Sequence, residues 1–185
     1  MHPAVHRALR ELYAFTRQLG LHWAALADKL PAAEADPLHA GARSAFAVVE
    51  EIVEACAQRD LYVARAARFA ARVLSARPAV TDRVLERNQA MRFAALDAQH
   101  VLTTIAYVAA LATEGGDEDL RALCARWDRK LRPHERAVRR AAVALGERPD
   151  EAIAPADSSP AGRAGQKLNF VLGSVGEWMD RRARS

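Results

Sequence analysis

Apolar residues recur along most of this chain at intervals of three or four, the spacing that places them on one side of an α-helix. Val5, Leu9, Leu12, Thr16, Leu19, Trp23, Leu26 and Leu30 make the first stripe, so residues 3–30 read as an amphipathic helix that Pro31 ends. A second stripe passes through Leu38, Ala42, Ala45, Val49, Ile52 and Cys56, then resumes at Val63, Ala67, Ala70 and Leu74. Arg59 and Asp60 fall on core-facing positions between its two parts. An unpaired charge inside a bundle is costly. The spacing therefore favours one helix over about 37–76 with a mutually satisfied polar layer, a bend or break near Arg59 being the alternative.

After Pro78, residues 79–113 read as a helix that is apolar on two sides. Val84, Met91, Ala95, Ala98, Leu102 and Ile105 form one side, and Phe93, Leu96, His100, Thr103, Tyr107 and Leu111 the other. A helix of this kind is expected to be central and covered on both sides. Glu114-Gly115-Gly116-Asp117 supplies a stop and a restart, with glycine suited to the C-cap and Asp117 to the next N-cap. The fourth helix, 118–146, carries Leu120, Cys124, Trp127, Leu131, His134, Val138, Ala141 and Leu145, and Pro133 inside it predicts a kink. Residues 147–161 read as a linker with one short helical turn. Residues 162–185 read as a final amphipathic helix in the same domain, with Leu168, Val171, Leu172, Val175, Trp178 and Met179 on one face.

No strand-like alternation is present, so the predicted class is all-α. Short turns between successive helices imply an up-down-up-down four-helix bundle over residues 1–146 with an appended C-terminal helix. With 185 residues, 51% hydrophobic and 27% charged, the chain can bury one core. The net charge of +4 comes almost wholly from arginine, lysine occurring only at Lys29, Lys130 and Lys167. Such a charge permits an acidic partner without requiring one, and nucleic acid is not the expected partner. No stretch approaches the roughly 18 uncharged apolar residues of a membrane span, and the first residues lack a signal-type apolar run, so cytoplasmic residence is the expectation. Cys56 and Cys124 sit at apolar helix positions and read as reduced core thiols.

Reflecting the predicted helices about turns near 33, 77 and 115 gathers Glu11, Glu50, Glu51, Glu54, Asp97, His100, His134 and Glu135 around mid-bundle. Carboxylates and imidazoles projecting between four helices are the donors of di-iron carboxylate sites. The candidate metal set is Glu54, Asp97, His100 and His134, with iron or manganese as the fitting ion. Against it stands the ordinary reading of a histidine on an apolar stripe, a side chain satisfied by a local hydrogen bond. On that reading His134 pairs with Asp60 across the bundle, and no cofactor is held.

The run Leu12-Tyr13-Ala14-Phe15-Thr16-Arg17-Gln18-Leu19, the Glu50-Glu51 pair and the helix-turn-helix pattern from Ala94 to Ala142 resemble the stress-induced, YciF-type branch of the ferritin-like superfamily, over about residues 5–146. The resemblance implies a ferritin-like bundle. It also marks departures at the ligand positions: Thr16 stands where a helix-one glutamate ligand is implied. Glu51-Ile52-Val53-Glu54 replaces a Glu-x-x-His, and helix four offers Pro133-His134-Glu135. Arg129 and His134 have the Arg-x4-His spacing of HEPN-type helical ribonucleases, although Lys130 follows where that family places a small polar residue.

Two basic stripes remain. Arg65, Arg68 and Arg72 line one helix face, and Arg129, Arg132, Arg136 and Arg140 another, at spacings able to track phosphates or simply to face solvent. The leading expectation is a non-enzymatic ferritin-like bundle acting through protein contacts and self-associating, with Trp178 and Met179 as interface anchors. The alternatives are a carboxylate/histidine metal-binding protein of di-iron type and an RNA-directed protein using its arginine faces.

Overall fold

The computed structural model describes residues 2–61 and 85–165. Four long helices make up most of it: α1 Pro3–Ala27, α2 Ala32–Ala57, α3 Arg87–Glu114 and α4 Glu118–Ala144. A 3₁₀ turn, Leu145–Glu147, and a short helix α5, Pro149–Ala152, follow. Among the described residues no strand forms beyond a single bridge between Glu86 and Pro155. The all-α class is as expected.

Each long helix starts and stops on local chemistry. The Nδ1 atom of His2 accepts from the Ala4 amide ahead of α1, with Pro3 at the first helical position. Pro31 stands just before α2, and the helix then runs through Pro37, five residues earlier than its stripe alone implied. Glu86 and Gln89 form a reciprocal capping box for α3, and the Asp117 carboxylate accepts from the Leu120 amide to cap α4. At the end of α3 the amides of Gly116 and Asp117 bond back to Thr113 and Ala112, with Gly116 at φ +67°. This is the six-to-one and five-to-two pattern of a Schellman stop.

The same pattern ends α2 and overturns the expectation of one helix over 37–76. Asp60 and Leu61 bond back to Ala57 and Cys56, and Asp60 adopts φ 54°, a left-handed conformation that aspartate tolerates better than most residues. Arg59 therefore makes no polar layer with Asp60. It reaches instead to Asp117 in a two-pronged ion pair of 2.9 and 3.0 Å. The Val63, Ala67, Ala70 and Leu74 part of the stripe lies outside the described residues.

Helix directions follow from the pairs that touch. Trp23 of α1 meets Gly41 of α2, and Gly20 meets Phe46, so α1 and α2 are antiparallel. Trp23 also donates to the Ala94 carbonyl while Phe15 stacks edge-on against His100, so α1 and α3 are antiparallel as well. Ser44 with His134, and Arg59 with Asp117, set α2 antiparallel to α4. Consequently α2 and α3 run parallel, and the up-down-up-down order is replaced by two antiparallel hairpins, α1–α2 and α3–α4. The expectation assumed a tight turn near Pro78. In fact Leu61 lies at the α3–α4 turn end of the bundle, while Leu85 lies at the opposite end, beside Ala156.

The core is filled by large side chains from all four helices, among them Leu9, Trp23, Ile52, Met91, Ile105, Leu120 and Trp127. Residues 147–157 do more than link: Arg87 donates to Ala154, Ala156 donates to Leu85, and the Asn88 amide group donates to Ala152, which straps this segment onto the start of α3. Helix α3 is central on one side only, since Phe93, Leu96 and Tyr107 are exposed, against the expected two-sided covering. By length and composition α3 is also apolar enough to cross a membrane, with mean hydropathy 1.2 over the relevant window, but its inner side forms the bundle core. The chain is helical again from Pro160 to Gly165, where the described residues end.

Candidate functional site

The four proposed metal ligands are not brought together. Glu54 and His100 are exposed, and Asp97 and His134 are partly buried on different helix pairs. Asp97 shares a 2.8 Å hydrogen bond with Nδ1 of His22, a buried α1 residue. His134 shares one of 2.8 Å, through Nε2, with the Ser44 hydroxyl. His134 thus does not pair with Asp60. The reflection that placed those two together used a turn the chain does not make. Among the described residues no three His, Cys, Asp or Glu side chains are placed to hold a metal ion.

Thr16, at the position where the resemblance implies a glutamate, is fully buried. Its hydroxyl has no hydrogen-bond partner among the described residues. Glu51 leaves the interior for α4. Its carboxylate accepts from Trp127 Nε1 at 2.9 Å, from Lys130 at 2.8 Å and from Arg126 at 3.0 and 3.1 Å. Burial acts to raise its pKa, but these donors outweigh burial and hold Glu51 below the usual carboxylate value. Asp117 is lowered as well, chiefly by Arg59, while burial opposes and the Leu120 amide assists. Glu51 and Asp117 are thus both engaged in ion pairs between helices.

Ser44 and His134 have the first two members of a nucleophilic relay, a hydroxyl on an imidazole. Among the described residues no carboxylate bonds the other ring nitrogen. Both side chains also project from helix interiors, whose amides are already committed to the helical ladder and offer no oxyanion donors. Burial, and secondarily the charge of Arg43, push His134 below the ordinary histidine value. The geometry performs a helix-to-helix bond between α2 and α4.

Two carboxylates are buried, Glu135 of the mid-bundle set and Glu34, which the pattern of the sequence did not single out. Glu34, 1% exposed, accepts from Arg148 at 2.8 Å and so ties the start of α2 to the segment after α4. Glu135 is buried beside Arg139, one helical turn on. His22 was also legible in principle, since it lies three residues after Leu19 on the flank of the first stripe. Nothing in the sequence shows that Arg148, 114 positions away, reaches Glu34.

On α4, Arg129, Arg136 and Arg140 are exposed, and Arg132 is clamped to Asp128. With Pro133 they line a shallow depression of about 400 Å³. Arg65, Arg68 and Arg72, and the proposed anchors Trp178 and Met179, lie outside the described residues. Compared with protein-family models, with curated proteins and with solved structures, the chain gives no match.

Proposed function

We propose that this chain is a helical bundle of the ferritin-like type that works through contacts with other protein molecules, self-association among them, and that its interior serves packing. The observation carrying this reading is the pairing of the candidate ligands: Asp97 is engaged by His22 and His134 by Ser44, while Glu54 and His100 are exposed. Connectivity supports the ferritin-like part, because such bundles join two antiparallel hairpins through one long crossover. The departures at Thr16 and Glu54 agree with a layer given over to packing.

Sedimentation velocity of the full chain over a range of concentrations tests the contact half of the proposal. A concentration-dependent species larger than one chain is expected, and a single-chain species throughout contradicts it.

The arginine face of α4 favours a second reading, an RNA-directed protein. Arg129, Arg136 and Arg140 stand exposed along one side of one helix. This reading requires RNA affinity that falls steeply with salt and weakens when Arg132 and Arg136 are replaced.

A further inference from the structure

Where α1 begins, α3 ends and α4 begins, the helices leave a cavity of about 500 Å³, within the range of sites for small organic molecules. Val5, Leu111, Ala112 and Leu120 form its apolar wall. Three of them, Val5, Ala112 and Leu120, belong to the buried core, so the wall continues the core toward the surface. An apolar molecular body gains by leaving water for such a wall.

Three polar side chains also line the cavity, and their existing bonds decide which charge it accepts. His2 accepts from the Ala4 amide through Nδ1. An imidazole accepting through a ring nitrogen carries no net charge. Asp117 is taken up by the Arg59 guanidinium and by the Leu120 amide. Glu114 differs from both, being exposed and without an ion pair or side-chain hydrogen bond among the described residues. It stands at the last position of α3, the negative end of that helix. The amide ends of α1 and α4 open toward the same place, but His2 and Asp117 cap them. Basic side chains outnumber acidic ones in the chain, 27 to 23, yet none of the described ones lines the cavity.

We propose that this cavity binds a small organic cation, an ammonium group on an apolar body. The body lies against Val5, Ala112 and Leu120, and the ammonium meets the Glu114 carboxylate. An anion of the same shape would face that carboxylate and the negative end of α3. A wholly polar molecule would give up water at an apolar wall that returns no hydrogen bonds. The site is at one end of the bundle, apart from the packed interior and from the arginine face of α4, and it is independent of the function proposed above.

Three probes that share one body test it: phenylbutylammonium, phenylbutanol and phenylbutanoate. Each is titrated into the full chain, labelled at its leucine and valine methyls and followed by NMR. The ammonium should bind most tightly and the carboxylate least, with the largest shifts at Val5, Leu111 and Leu120. Glu114→Gln should weaken the ammonium about two- to fivefold at low salt, the range of an exposed ion pair, and leave the alcohol unchanged. Leu111→Trp, at a half-buried position, fills the cavity and should abolish binding of ammonium and alcohol alike. If that variant fails to fold, Glu114→Gln, at an exposed position, decides alone. Equal affinity for the three probes overturns the proposal. So does full ammonium affinity in Glu114→Gln, a set of shifts centred on other methyls, or no binding of the ammonium at millimolar concentration.

Discussion

The ring of Trp23 lies directly over the backbone of Gly41: a Cβ placed there would come within 2.0 Å of the ring. That contact, with the indole donating to Ala94, pins α1 to both α2 and α3. Gly41→Ala should therefore destabilise the protein by about 1–3 kcal/mol, as overpacking does, although alanine favours an isolated helix by about 1 kcal/mol. Urea unfolding measures this; a gain in stability would mean that the ring is free to move.

Glu51 gathers three donors from α4, and its pKa is lowered in the folded state. A carboxyl group with a depressed folded value contributes stability that is fully present above its unfolded value and lost as pH falls through the folded one. Glu51→Gln should cost about 1–2 kcal/mol near neutrality, given the number of charged donors and a partly exposed site. It should also flatten the decline of stability below the ordinary value of 4.5. Equal slopes for the variant and the parent chain, in unfolding measured against pH, would contradict this role.

His134 is held below the ordinary histidine value of 6.5 by burial and by Arg43. Its neutral form is the one favoured in the fold. The associated stability is present above 6.5 and lost as pH falls from there toward the lowered folded value. NMR titration of the imidazole should give a midpoint below 6.5, and a midpoint at or above it would contradict the buried, neutral assignment.

Cys56 and Cys124 are free and buried, and burial pushes their thiols up to about 11 and about 12. Both should resist a thiol reagent in the native state and react promptly in denaturant. A native thiol modified as fast as free cysteine would show that one of these positions opens to solvent.

Helical periodicity revealed the class and most of the core, because Leu9, Trp23, Leu38, Ile52, Leu120 and Trp127 repeat at the period of the helix and are buried for that reason. It did not reveal helix direction. A stripe continuing past Cys56 resembles a longer helix, while the stop depends on Asp60 adopting a left-handed backbone, which a residue other than glycine does not announce. The misplaced turn then misplaced every height estimate that used it, which is why His134 was paired with Asp60 and not with Ser44. His134 was legible as a polar group on an apolar stripe, and Asp97 as an acid near mid-bundle height. Their partners were not, since His22 and Ser44 lie 75 and 90 positions away in sequence.

Metal content of the full chain, purified without chelators, tests most directly the claim that the polar interior serves packing. Less than about one iron or manganese per ten chains is predicted, because an ion held by protein ligands needs several deprotonated donors converging on it. Metal near stoichiometry that disappears when Asp97 or His134 is replaced would contradict the account.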